Sequence, residues 1–315
     1  MEGKYLELLD DEILEFIRRT EEFYPADAVT ASITQQRNYY DDLCREFDVD
    51  YPQGVSSNDS IIRIDEQPVA FRQCVPANLR SKTQILFFHG GGFVVGGLES
   101  HDSICAEICE GTGCIVRSID YRLAPEHPHP GSFEDCLVAF KCVARECDNP
   151  IILVGDSAGG NLAAAVSHTA RNESSNLINR IAGQILIYPA LGGDTETGSY
   201  LEHAHAPMLT KPDVDFYHEI RAGELDIGND VTAYPLVDTD FSNLPSTVVF
   251  SAECDPLADD GKHYCKAIND AGGNAKWFHE EGLVHGYLRA RHMSQKARTS
   301  FKRIVGAINA IAEQN

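Results

Sequence analysis

Apolar residues change their spacing near residue 60. Before that point Leu6, Leu9, Ile13, Leu14, Phe16 and Ile17, and then Tyr39, Tyr40, Leu43 and Phe47, recur at helical intervals. Pro25 separates the two amphipathic stretches. After it, Ile61–Ile64 and Val69–Val75, split by the polar Asp65-Glu66-Gln67-Pro68, predict a β-hairpin. Six compact apolar runs follow: Ile85–Phe88, Cys114–Val116, Ile151–Val154, Ile185–Ile187, Val248–Phe250 and Lys276–Phe278. Runs apolar on both faces suit central parallel strands covered by helices. Helices are expected at about 102–110, 133–147, 159–172, 257–271 and 296–312. In the last of these, Phe301, Ile304, Val305, Ile308 and Ile311 form one apolar stripe.

A hairpin followed by six strands joined mostly through helices predicts a doubly wound α/β fold, a mostly parallel eight-stranded sheet flanked by helices. One connection exceeds a simple crossover. Between Tyr188 and Thr247 lie Gly192-Gly193, the His203–His205 stretch and a helical run from Lys211 to Arg221. This insertion is expected to fold over the sheet together with the N-terminal helices.

Gly155-Asp156-Ser157-Ala158-Gly159-Gly160 follows a predicted strand and opens a predicted helix. That is G-x-S-x-G in the strand–turn–helix setting that presents a nucleophilic hydroxyl, although a glycine-rich turn can also serve packing alone. His89-Gly90-Gly91-Gly92-Phe93 follows another predicted strand. Glycines let backbone N–H groups converge on the oxyanion of acyl transfer, and the residue after the nucleophile, Ala158, supplies a further N–H. A phosphate loop is the alternative, but no GK[ST] follows. A hydroxyl nucleophile needs a base, and the base needs an orienting carboxylate. His285 lies just past the last predicted strand, and Asp255 follows the run Val248–Phe250. The chain order Ser157, Asp255, His285 is that of the α/β-hydrolase arrangement. Asp259 and Asp260 read as charges favoured by a helix dipole, and His101-Asp102 as a helix cap.

Composition narrows the partners. Hydrophobic residues make up 43% and charged residues 23% of 315, which excludes wholesale disorder. The formal charge of −22 argues against nucleic acid or an anionic membrane as the main partner. No apolar run reaches the roughly 18 residues of a membrane span, and Met1-Glu2-Gly3-Lys4 opens no export signal. A cytoplasmic location is expected, with the ten cysteines, none in a CxxC pair, as buried thiols. The Cys and His spacings match no zinc pattern, so no metal and no cofactor are called for.

With these motifs in hand, the sequence resembles the hormone-sensitive-lipase-like carboxylesterases, a branch of the α/β-hydrolases. The likeness runs from about His89 to Tyr287 and rests on His89–Phe93, Asp120–Pro128, Gly155–Gly160, Asp255-Pro256-Leu257 and His285-Gly286. Asp156 matches the GDSAG subgroup, where a second subgroup carries Thr. The resemblance implies Ser157 as nucleophile, His285 as base, Asp255 as its partner, and Gly91, Gly92 and Ala158 as oxyanion donors. It further implies metal independence, a small-molecule ester substrate with a short acyl chain, and a helical cap. Residues 1–50 would form the N-terminal part of that cap. Residues 51–315 would form the catalytic domain, with a cap insertion at about 192–225. Phe23, Tyr24, Tyr39, Tyr40, Phe216 and Tyr217 are candidates to line its pocket, with plain packing as the alternative for each. His285 stands where the family's non-catalytic plant hormone receptors carry a replacement. The expected function is hydrolysis of short-chain esters through an acyl-enzyme. The alternatives are an amidase or deacetylase acting on a specific metabolite, and a non-catalytic ligand-binding homologue. A homodimer is compatible with the sequence.

Overall fold

The structure is a computed structural model that describes residues 3–64, 67–173 and 177–314. Three helices come first: α1 (Gly3–Leu8), α2 (Asp11–Phe23) and α3 (Ile33–Glu46). The first expected amphipathic stretch is thus two helices, because the Asp10 carboxylate accepts the Ile13 N–H and caps a new start. Ser32 and Gln35 form a reciprocal capping box that starts α3.

The hairpin strands β1 (Val55–Ile64) and β2 (Gln67–Pro76) pair antiparallel and are longer than the apolar pattern indicated. Ladder hydrogen bonds carry the polar stretch Ser56–Ser60 into β1. The Asp65-Glu66 turn lies outside the described residues. Then follow β3 (Gln84–Phe88), α4 (Asp102–Thr112), β4 (Ile115–Asp120), α5 (Gly131–Glu146), β5 (Ile151–Asp156), α6 (Ala158–Asn172) and β6 (Ile181–Ile187). The long connection carries α7 (Ser199–Glu202) and α8 (Lys211–Ala222), and β7 (Ser246–Cys254), α9 (Ala258–Asp270), β8 (Ala275–Val284) and α10 (Gln295–Ala312) complete the chain. Pro256 precedes α9 by two residues rather than opening it.

The eight strands lie in the order β1-β2-β4-β3-β5-β6-β7-β8, antiparallel at β1/β2 and β2/β4 and parallel elsewhere. Alternation along the central strands divides the core in two. Ile85, Phe87, Ile152, Val154 and Ile185 face a cluster with α4, α10 and the N-terminal helices, through Ile104, Ile304, Ile13 and Leu43. Leu86, Phe88, Ile151, Leu153 and Leu186 face α5, α6 and α9, through Phe140, Leu162 and Tyr264. This two-sided burial explains why the runs are apolar throughout.

Register fixes where the strands end. Phe88 pairs with Gly155, Asp156 with Ile187, and Cys254 with Val284. The residues that follow, His89, Ser157, Asp255 and His285, therefore leave the sheet along one rim. The strand order reverses at β3, and ligands of open α/β sheets bind beyond the carboxyl ends of strands at such a switch point.

Candidate active site

At the end of β5 the chain turns within one residue. Ser157 takes φ 54° and ψ −118°, a strained conformation for a side-chain-bearing residue. Its N–H donates to the Ile187 carbonyl at 2.8 Å. The flanking glycines permit the turn. A Cβ on Gly155 would lie 2.3 Å from the Gly159 backbone, and one on Gly159 would lie 1.8 Å from the Phe88 carbonyl oxygen.

The structure brings the three expected polar side chains together. His285 Nε2 lies 2.9 Å from Ser157 Oγ, and His285 Nδ1 lies 2.7 Å from Asp255 Oδ2. Asp255 is fully buried, and its other oxygen accepts the Leu257 N–H at 2.9 Å. That carboxylate makes Nδ1 the protonated nitrogen and leaves the Nε2 lone pair toward the hydroxyl.

The three expected backbone donors border the same space. Gly91, Gly92 and Ala158 line a cavity of about 140 Å³ with Ser157 and His285. No hydrogen bond from their N–H groups occurs among the described residues. Ala158 opens α6, where the helix leaves its first amides without internal partners. The adjacent loop supports this geometry. Tyr121 donates its hydroxyl to the His89 carbonyl at 2.6 Å, and the Ala124 N–H donates to the Phe93 carbonyl at 2.9 Å. The Asp156 carboxylate holds the Gly90 N–H at 2.9 Å.

Of the six aromatic candidates, Tyr24, Tyr40 and Tyr217 line the cavity, and Phe23, Tyr39 and Phe216 do not. Tyr24 and Tyr217 join hydroxyl to hydroxyl at 2.9 Å. Burial raises the pKa of both phenols, so both stay neutral.

Several contributors escaped the sequence. His101 does not cap α4; its Nε2 lies 3.2 Å from Asp156, and burial lowers the pKa of its ring. Asp102 instead takes the Tyr51 hydroxyl at 2.6 Å. Arg289 lines the cavity and donates to the Ser100 carbonyl and the Tyr40 hydroxyl, each at 2.9 Å. Asp259 and Asp260 do more than favour a dipole. Asp260 Oδ2 accepts the N–H groups of Leu191 and Gly192 at 2.7 and 3.1 Å, and Asp259 accepts that of Ser199 at 2.9 Å. They tie the start of the long connection to α9. Consecutive acids at a helix start were the available signal, but their partners lie about sixty residues away in sequence.

A family model described as the alpha/beta hydrolase fold matches residues 85–289. The chain belongs to the α/β-hydrolase family, in its hormone-sensitive-lipase-like branch. This hydrolase is 35% identical over 214 residues to the carboxylesterase NlhH of Mycobacterium tuberculosis, covering 65% of this chain and 66% of that protein. It is 37% identical over 211 residues to the esterase LipI of the same organism, covering 65% of each. The chain thus spans just under two thirds of the length of these relatives. Among solved structures, a hyperthermophilic esterase from the archaeon Pyrobaculum calidifontis superposes with a TM-score of 0.88 at 27% identity, covering 96% of this hydrolase and 99% of that chain. No helix among the described residues is long and apolar enough to cross a membrane.

Proposed function

We propose that this hydrolase is a serine carboxylesterase that cleaves short-chain acyl esters through an acyl-enzyme intermediate. One observation carries the reading: Ser157 Oγ, His285 Nε2 and the buried Asp255 stand in hydrogen-bond sequence beside three unspent backbone N–H groups. His285 takes the Ser157 proton as the oxygen attacks the acyl carbonyl. Gly91, Gly92 and Ala158 donate to the resulting oxyanion, and His285 then protonates the departing alcohol. Water repeats the two steps on the acyl-enzyme. Each oxyanion donor contributes on the order of 10²- to 10³-fold in rate.

The cavity of about 140 Å³ supports small acyl groups. Residues 1–50 and about 192–225 serve as the cap. That assignment is supported by Tyr24, Tyr40, Met208 and Tyr217, which come from those two segments and line the cavity. Ten free thiols support a cytoplasmic location, where such groups stay reduced.

The deciding experiment compares wild type and Ser157→Ala on p-nitrophenyl acetate, butyrate and decanoate, with matched amides alongside. The expected result is turnover of the two short esters that Ser157→Ala abolishes while the folded protein persists. Near-normal hydrolysis by Ser157→Ala overturns the nucleophile, preference for the decanoate overturns the short acyl pocket, and preference for the amides overturns the ester assignment.

A further inference from the structure

A second cavity, of about 130 Å³, adjoins the first. The two share a wall made of Thr20, Tyr24, Met208, Leu209 and Tyr217. The shared wall lies on the leaving-group side of the site. His285 must protonate the departing alcohol, and Met208 adjoins that segment: its methyl would lie 4.0 Å from a Cβ placed on Gly286. An alcohol portion that extends past His285 and Met208 therefore points toward the second cavity.

That cavity has a distinct chemical character. Glu21 and Asp213 line it, and no Lys or Arg does. Asp213 Oδ2 takes the Thr210 N–H at 2.9 Å and the Thr210 hydroxyl at 2.7 Å, whereas Oδ1 has no hydrogen bond among the described residues. Glu21 has no ion-pair partner among them either. Thr20 is 5% exposed, and its hydroxyl has no hydrogen-bond partner in the structure. It is a buried polar atom bordering both cavities, and leaving such an atom unpaired costs free energy that a ligand group can recover. Tyr24 and Tyr217, fixed by their mutual hydrogen bond, add aromatic rings that attract cations. The net charge of −22 enriches cations around the whole molecule.

We infer that the second cavity is a subsite for a positively charged leaving alcohol, so that the preferred substrates are short-chain esters of amino alcohols carrying a protonated amine. The ammonium N–H would meet the Thr20 hydroxyl, the Asp213 and Glu21 carboxylates would balance its charge, and the two tyrosines would flank its alkyl groups. This inference rests on the carboxylesterase reading.

The test is a pair of isosteric acetates at neutral pH and low salt: 2-(dimethylamino)ethyl acetate, which is cationic, and 3-methylbutyl acetate, which is neutral. The expected kcat/KM ratio is about tenfold in favour of the cation, falling as sodium chloride screens the carboxylates. In a Glu21→Gln, Asp213→Asn double variant the ratio falls toward one. Taking the ratio within each protein cancels any loss of folded enzyme. Equal or faster turnover of 3-methylbutyl acetate by wild type, or an unchanged ratio in the double variant, overturns the subsite and leaves ester hydrolysis standing. Failure of both acetates and of p-nitrophenyl acetate together overturns the esterase reading and the subsite with it.

Discussion

Tyr217 of α8 packs directly on Gly92 of the loop after β3: a Cβ added to Gly92 would lie 2.5 Å from the tyrosine ring. The contact joins the long connection to a backbone N–H that faces the nucleophile. It also requires glycine, because the residue has φ +59° with no space beside it. Gly92→Ala should displace either the ring or the amide. The expected outcome is a fall in kcat of at least about 10²-fold, the scale of one lost oxyanion donor. Steady-state kinetics with an unfolding curve on the same preparation check it, and unaltered kcat in a folded variant contradicts it.

Asp255 acts on Ser157 only through His285. Asp255→Asn keeps the size of the side chain but presents an N–H₂ or a weaker acceptor to Nδ1, favouring the wrong imidazole tautomer. By analogy with serine proteases, kcat should drop on the order of 10⁴-fold with the fold retained. A loss smaller than about tenfold would remove the carboxylate from the relay.

Asp260 couples stability to pH. Burial pushes its carboxyl up to about 7. Its unfolded value is near 3.9, so between about pH 4 and 7 the native state holds a proton that the unfolded chain has lost. Stability from this group is therefore present at low pH and is lost as pH rises toward 7. Asp260→Asn removes the titration while its amide oxygen can still accept from Leu191 and Gly192. Relative to wild type, the variant should gain stability progressively across that window, by up to about 4 kcal/mol. Urea unfolding of both proteins at several pH values measures the difference, and a pH-independent difference contradicts the assignment.

Arg37 and Glu126 separate an ion pair from a backbone clamp. Arg37 donates to both Glu126 oxygens at 2.8 and 2.6 Å, and also to the carbonyls of Val94 and Ala124 at 2.9 and 3.1 Å. Glu126 is largely exposed, so Glu126→Gln should cost less than about 1 kcal/mol. Arg37→Ala also strips donors from two backbone carbonyls beside the oxyanion loop, and should cost more stability than Glu126→Gln. Denaturant midpoints for the two variants decide; equal losses contradict the clamp.

The alternation and length of the apolar runs were enough to predict eight strands, their helical connections and the one long insertion, because burial on both faces imposes an unbroken apolar signature. Ser157 and the glycines around it were legible because a sharp strand-to-helix turn tolerates few residue types. Asp255 and His285 were legible from their places just past predicted strands and from their order. Contacts that depend on two distant segments left weaker marks. Arg289, Met208 and Asp260 are an ordinary arginine, methionine and helix-start acid until folding sets them against Tyr40, Gly286 and Leu191. The three aromatic residues that reach the cavity could not be told from the three that do not, since both sets share helical spacing and hydrophobicity. Local pattern encodes which elements form and which residues can do chemistry, because propensity and burial act over a few residues. Which side chains meet, and what space remains between them, depends on how whole elements pack, and the tertiary structure alone decides that.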